Sequence, residues 1–435
     1  MRKRMTALLL AVLLLGVVGT ASADWRTEEI TLTYASWADA ELEQAMLDRF
    51  MEKYPNITVV KDSSINWPWN EALAAAASAG TLPDVFYVFN IPTSVHNEWL
   101  LELDELWDKD PDCALVYSDV ADTAVYHGQR YAAPSFMFAQ GVFINKTLFE
   151  EYNVDLPGYD WTIDDMIEIA REISDPYNHV YAIGGGGFHE HWPAVMNPEY
   201  GWNTWDGEKF NFTDPTWVDA YNTNLEFQRL KIIEQMTPEE KLEVFGDENA
   251  WPLKEGRVAM AIDYTWNLGG LPREMKEAGT GELDFYPYPA GPHGNKTYVV
   301  PDYIGVSSVT EHPEAAFELM KWMSFGREGW LTRLELLEEL GQGVSGFPVA
   351  NYPEVWEVIQ EQLPLPGLAY VIDTLDNTYS DVFKWLPGID EFHNWAHNDR
   401  IWERLETGEA NAADLAVEME QRATQIVQDA LKLLK

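Results

Sequence analysis

The stretch ITLTYASWADAELEQAMLDRFMEKYPNITVVKD (Ile30–Asp62) reads as strand, helix, strand. In ITLTYAS (Ile30–Ser36), apolar side chains alternate with hydroxyl-bearing ones, and most are β-compatible. Leu42, Ala45, Met46 and Phe50 then recur on one helical face until Pro55 stops the helix. ITVVKD (Ile57–Asp62) is a second strand, and NEALAAAASAG (Asn70–Gly80) a helix closed by Gly80. PDVFYVF (Pro83–Phe89) follows as a third strand, apolar almost throughout, as befits a buried parallel sheet. This βαβαβ order predicts an α/β domain whose helices cover a mostly parallel sheet. Ligands of such sheets gather beyond the carboxyl ends of the strands.

Upstream of this unit, Arg2, Lys3 and Arg4 precede an apolar run from Thr6 to Val18 and the small-residue site Ala21-Ser22-Ala23. That arrangement predicts a cleaved signal peptide over residues 1–23 and an exported mature chain. The apolar run is short for a bilayer span, and no later stretch is longer, so no direct membrane insertion is expected. No cysteine follows the cleavage site to carry a lipid. The lone thiol, Cys113, cannot form an internal disulfide. These features point to the periplasm, with secretion as the alternative.

The formal net charge of −43 opposes binding to nucleic acid or to anionic membranes. Aromatic residues are abundant, with 19 Trp and 20 Tyr, and many stand among polar or turn-forming residues. Examples are NWPWN (Asn66–Asn70), HEHWP (His189–Pro193), GWNTWDG (Gly201–Gly207) and FHNWAHND (Phe392–Asp399). Indoles in such loops are poor core material but good platforms for ligands with apolar faces and hydroxyl edges.

Downstream, QGVFINKTLFEEY (Gln140–Tyr152) reads as strand then helix, and WTIDDMIEIAREIS (Trp161–Ser174) as a helix capped by Thr162 with Asp165 in its first turn. Asn178–Gly207 reads as a loop-rich region, and the tail ends in a helix over Ala413–Leu434. AIDYTWNLGG (Ala261–Gly270) begins as a strand and stops abruptly at Asp263, Tyr264 and Trp266.

Several segments, in this order, resemble the family-1 extracellular solute-binding proteins of ABC importers, the class that includes maltose-binding protein. They are ASAGTLPDVFYV (Ala77–Val88), YAAPSFMFAQGVFINKTLFEEYNVDLP (Tyr131–Pro157) with Trp161-Thr162 after it, LKEGRVAMAIDYTW (Leu253–Trp266) and GFPVANYP (Gly346–Pro353). The resemblance implies a two-lobed periplasmic binding protein fold, type II-like, with a ligand cleft between lobes joined by hinge crossings. The crossings fall near Ala133–Phe138, Val299–Tyr303 and Val344–Pro348. The implied lobes are 24–134 and 301–345 for the first, and 135–300 with the C-terminal helical part 346–435 for the second.

The same resemblance implies a carbohydrate ligand, an ABC permease with its ATPase as partners, a monomer, no cofactor and no catalysis. Trp266 matches the family's sugar-stacking Trp, which makes Asp263 and Tyr264 candidates for hydroxyl contacts. Trp395 matches a second aromatic cleft position. Trp37 and Asp39 occupy the first strand–helix loop, Trp67 or Trp69 lines the same mouth, and Asn90 stands at the end of the third strand. His189 and Trp192 match an aromatic loop of the second lobe. Phe138 stands where maltose-binding protein has a hydroxyl-binding carboxylate, and Gln140 is the nearest replacement. His189 and His191 offer half of a metal site, but no third ligand is evident. GGGG (Gly184–Gly187) lacks the Lys-Ser/Thr of a phosphate loop. Two other readings stay open: a same-fold binder of a polyamine or other non-sugar solute, and a secreted glycoside hydrolase using paired carboxylates.

Overall fold

A computed structural model describes residues 24–38, 40–185, 188–197, 205–382 and 384–433, without the side chains of 188–190 and 390. The expected signal peptide and Asp39 lie outside the described residues, as does the His189 side chain.

The opening unit folds as its pattern predicts. Strands β1 (Ile30–Ala35), β2 (Ile57–Lys61) and β3 (Val85–Val88) alternate with helices Ala40–Lys53 and Trp69–Ala79. β1 lies between β2 and β3, parallel to both. Gly80 closes its helix in the left-handed conformation, with φ 71°, and its N–H reaches back into the last turn. A small hairpin, β4 (Val125–Tyr126) and β5 (Gln129–Arg130), precedes the long strand β6 (Ala133–Asn145). The remaining strands are β7 (Tyr181–Gly184), β8 (Val258–Tyr264), β9 (Leu283–Pro287), β10 (Thr297–Val306) and β11 (Thr378–Ser380).

One curled sheet runs in the order β2-β1-β3-β10-β6-β8-β7, with β9 also on β6 and β11 on β10. The expectation of a mostly parallel sheet holds for β1–β3 but fails at the centre, where β10 runs antiparallel to β3 and β6. The reason is topological: β10 returns from the second half of the molecule and enters the first sheet from the opposite end. β6 switches partners in mid-course. Up to Ala139 it pairs with β10; from Gln140 it pairs with β8, and from Gly141 also with β9.

Three apolar cores follow from this layout. The first buries Leu32, Phe50, Phe86 and Trp330 between β1–β3 and helices Ala40–Lys53, Pro313–Met323 and Arg327–Leu340. The second gathers Ile144, Met166, Ala182 and Met260 on the other half of the sheet. The third packs Phe210, Trp217 and Phe392 against the terminal helix Ala412–Leu433. The helix Ile163–Ile173 carries the anticipated cap in full: Thr162 and Asp165 bond each other's backbone N–H in a capping box.

Asn178–Gly207 is less loop-like than expected. It contains β7, whose four residues are all buried, and the helix Phe188–Met196. A four-residue strand beside glycines gives too short an apolar run to read, and Pro193 disguises the helix that carries it.

Two glycines fasten loops from different parts of the chain. Gly269 follows β8, and Gly343 follows the helix Arg327–Leu340. A Cβ on Gly343 would fall 2.2 Å from the Gly269 carbonyl oxygen, and one on Gly269 2.6 Å from that of Gly343. Both close approaches are to backbone, which cannot rotate aside. Gly343→Ala is expected to cost about 1–3 kcal/mol, as overpacking does. A urea midpoint equal to wild type would show that the two loops part without penalty. No helix among the described residues is long and apolar enough to cross a membrane.

Candidate functional site

β6 changes partners beside the end of β8: Tyr264 is the last residue of β8 and pairs with Gln140. The Thr265 hydroxyl accepts a hydrogen bond from Ala139 N–H at 3.2 Å, and Thr265–Asn267 form a tight turn. The Trp266 indole N–H donates to Asp263 Oδ1 at 3.0 Å, and the Asn267 amide to Asp263 Oδ2 at 2.8 Å. Trp266 is thereby held beside this partner change, 43 % exposed, against Tyr264 and Phe138 at ring distances of 4.1 and 5.8 Å. Burial pushes the Asp263 carboxyl above its usual range, and the bonds from Tyr264, Asn267 and Trp266 partly offset this. With both oxygens engaged in its own loop, Asp263 orients the indole.

Trp37 stands in the loop after β1. It packs edge-on against Trp69 and Tyr87, with ring centroids 5.0 and 4.9 Å away. Its indole N–H lies 3.4 Å from Asp302 Oδ2. β10 has a register shift between Asp302 and Tyr303, the kind of irregularity that re-aims a side chain. Asp302 and Lys384, both buried, form an ion pair at 2.5 Å, and Lys384 Nζ also donates to the Pro301 carbonyl at 2.9 Å.

Between these groups lies a cavity of about 470 Å³, within the roughly 300–1,000 Å³ common for small-molecule sites. Trp37, Tyr87, Phe136, Phe138, Trp266 and Trp330 supply its aromatic wall. Asp302, Arg333 and Lys384 supply its charges. A larger groove of about 1300 Å³ lies between the helix Pro215–Arg229 and residues 404–414, but no aromatic ring lines it. The smaller cavity combines flat apolar faces with hydrogen-bonding groups and is the candidate site.

The residues anticipated from the sequence divide between this cavity and other roles. Trp37 and Trp266 line it. Trp67 does not line it; it is 58 % exposed and 6.1 Å from Trp37, whereas Trp69 is 1 % exposed and its indole N–H is bonded to the Tyr87 carbonyl. Tyr264 backs Trp266, and its hydroxyl lies 3.3 Å from His191 Nε2. His191 Nδ1 lies 3.2 Å from the Tyr379 hydroxyl, so His191 is a buried link between phenols. No group of three metal-ligating side chains occurs among the described residues.

Asn90 does not reach the cavity; it caps the helix Ile91–His96, accepting from Thr93 N–H at 2.9 Å. Trp192 is buried in the second core. Trp395, expected just before a helix, lies inside the helix Ile389–Asn398 and rests on the third core, 5.8 Å from Phe392. Gln140 is buried and does not line the cavity.

Asp302, Arg333 and Lys384 were not anticipated. Asp302 interrupts the apolar strand YVVPDYIGV, and Arg333 falls at helical spacing between Trp330 and Leu337 on a buried face. Both were readable irregularities. Lys384 carries no such mark.

Two lobes of α/β structure sharing one sheet, with an aromatic cavity where the strands change partners, define a two-lobed periplasmic binding protein fold. The family model described as bacterial extracellular solute-binding protein matches residues 34–325, and the chain belongs to that family. An uncharacterized ABC transporter extracellular-binding protein of Pyrococcus horikoshii is 25% identical over 354 residues, covering 73% of this chain and 76% of that protein.

Among solved structures, the sugar-binding protein MalE of Xanthomonas citri has a TM-score of 0.73 at 18% identity, covering 93% of this chain and 98% of that one. An ABC substrate-binding protein of Listeria monocytogenes, in complex with cycloalternan, has a TM-score of 0.71 at 19% identity, covering 92% and 99%. The cyclic alpha-maltosyl-1,6-maltose binding protein of Arthrobacter globiformis has a TM-score of 0.70 at 18% identity, covering 92% and 100%.

Proposed function

We propose that this protein is the periplasmic carbohydrate-binding subunit of an ABC importer. It captures an oligosaccharide or glycoside and delivers it to a membrane permease, whose partner ATPase hydrolyses ATP. The observation that carries this reading is the cavity walled by Trp37 and Trp266 with charged groups between them. Pyranose C–H faces pack on indoles, and ring hydroxyls take charge-assisted hydrogen bonds. The ligands named for the structurally similar proteins are carbohydrates as well.

In this reading the mature protein is a monomer that starts after residue 23. Its lobes move about the crossings in β6 and β10 and the segment near Val344–Pro348, as is usual for binding proteins of this kind. Closure brings Trp266 and Trp37 onto opposite sides of the ligand and excludes water. Binding favours the closed form because that form makes more contacts with the sugar. The polyamine reading is disfavoured by the cavity's own charges, two cations against one carboxylate.

Thermal denaturation of ligand-free mature protein across sugars, polyols, polyamines and amino acids tests the solute class. A ligand at a thousand times its Kd adds about 4 kcal/mol to stability, enough to raise the midpoint by several degrees. An upward shift with one class of sugar is expected. A shift with polyamines alone would overturn the carbohydrate assignment.

A further inference from the structure

The cavity reverses the charge of the molecule around it. In a chain of formal net charge −43, Arg333 and Lys384 face the cavity against a single carboxylate, Asp302. Lys384 is compensated by Asp302. Arg333 is not: it is 5 % exposed and forms no ion pair among the described residues. Its Nη2 donates one hydrogen bond, to the Met323 carbonyl at 3.0 Å. The guanidinium also lies 4.6 Å from the centre of the Phe136 ring and 5.9 Å from that of Trp330.

A guanidinium has five N–H donors in a rigid fork. One backbone carbonyl and two ring faces satisfy it incompletely, and desolvating a cation is costly unless it is paired. A leucine at this position, between Trp330 and Leu337 on the buried side of the helix Arg327–Leu340, would fill the space without that cost. The charge therefore has its use when something enters the cavity.

Resting on the carbohydrate reading above, we infer that the bound sugar carries a carboxylate, as a uronic acid unit does, and that Arg333 grips it through its free N–H groups. The planar fork matches a carboxylate in two parallel hydrogen bonds, a geometry that a neutral hydroxyl cannot offer. The surrounding aromatic rings then hold the sugar face, so the pair forms in a dry environment. The negative charge of the rest of the chain acts across water, where salt screens it within about 8 Å. It slows the approach of an acidic sugar without cancelling a desolvated contact.

Calorimetric titration of the ligand-free mature protein at pH 7 tests this. The probes are short oligomers of glucuronate, galacturonate and mannuronate, each beside its methyl ester and its neutral parent sugar. The acid of at least one series is expected to bind roughly 10- to 100-fold tighter than its own methyl ester, the range of one charge-assisted hydrogen bond or more. Arg333→Met should bring that ratio close to one; the thermal midpoint of the free protein reports folding separately, where relief of the buried charge and loss of the bond to the Met323 carbonyl act in opposite directions. If the variant fails to fold, the wild-type ratio decides alone. Neutral sugars or esters binding as tightly as the acids would overturn the inference and leave the carbohydrate reading intact. Binding of no sugar in any charge state, here or in the thermal panel, would overturn both.

Discussion

Lys384→Met is expected to destabilise the protein by about 3–5 kcal/mol, the usual result of removing one partner of a buried ion pair. Asp302 and Lys384 are each 8 % exposed, so little water reaches the Asp302 carboxylate to replace the lost cation. The Pro301 carbonyl loses a donor in the same step. The Lys384 backbone carbonyl also accepts from Ile91 N–H at 2.9 Å, so the carboxylate left without its cation would lie where the late segment is tied near the end of β3. Adding Asp302→Leu to the first substitution should recover much of the loss, because two apolar side chains leave no charge stranded. Urea denaturation of the two single variants and the double variant measures the coupling directly. A loss below about 1 kcal/mol for Lys384→Met would mean that the pair behaves like one on the surface.

Trp266→Ala should weaken ligand binding by about 2 kcal/mol or more, roughly 30-fold, as expected when an aromatic anchor is removed. Its 43 % exposure means that the free protein depends on it little, and stability should fall by less than about 1 kcal/mol. Trp266→Phe keeps a ring but loses the indole N–H that Asp263 holds, so an intermediate affinity is expected. Calorimetric titration with the sugar that gives the largest thermal shift distinguishes the cases. An unchanged Kd for Trp266→Ala would remove this indole from the binding surface.

Much of the local structure was legible because its determinants are close in sequence. The β1–β3 unit follows from period-two and period-3.6 apolar patterns, and the capping box from Thr162 and Asp165, three residues apart. The end of β8 at Tyr264, just before Trp266, was visible as a run of apolar residues meeting Asp263, Tyr264 and two glycines. The helix around Trp192 was not, since its short strand and internal proline blur both periods.

The site itself was legible only in part. Trp37 and Trp266 could be picked out as indoles at strand ends, while Trp67 and Trp69, two residues apart, diverge into an exposed edge and a buried core position. Asn90 bears the mark of a ligand contact and of a helix cap alike; in the structure its Oδ1 caps a helix and it lies outside the cavity lining.

The sequence by itself determined the strand–helix order, the caps, the acidic surface and the supply of aromatic side chains, because each depends on neighbours within a turn or two. Tertiary structure alone decided which rings share a cavity and which charges face it. Asp302 and Lys384 meet across 82 residues of chain, and Trp37 meets Asp302 across 265. Such contacts depend on where β6 changes partners and where β10 enters the sheet, and these are set by the packing of three cores rather than by any local pattern.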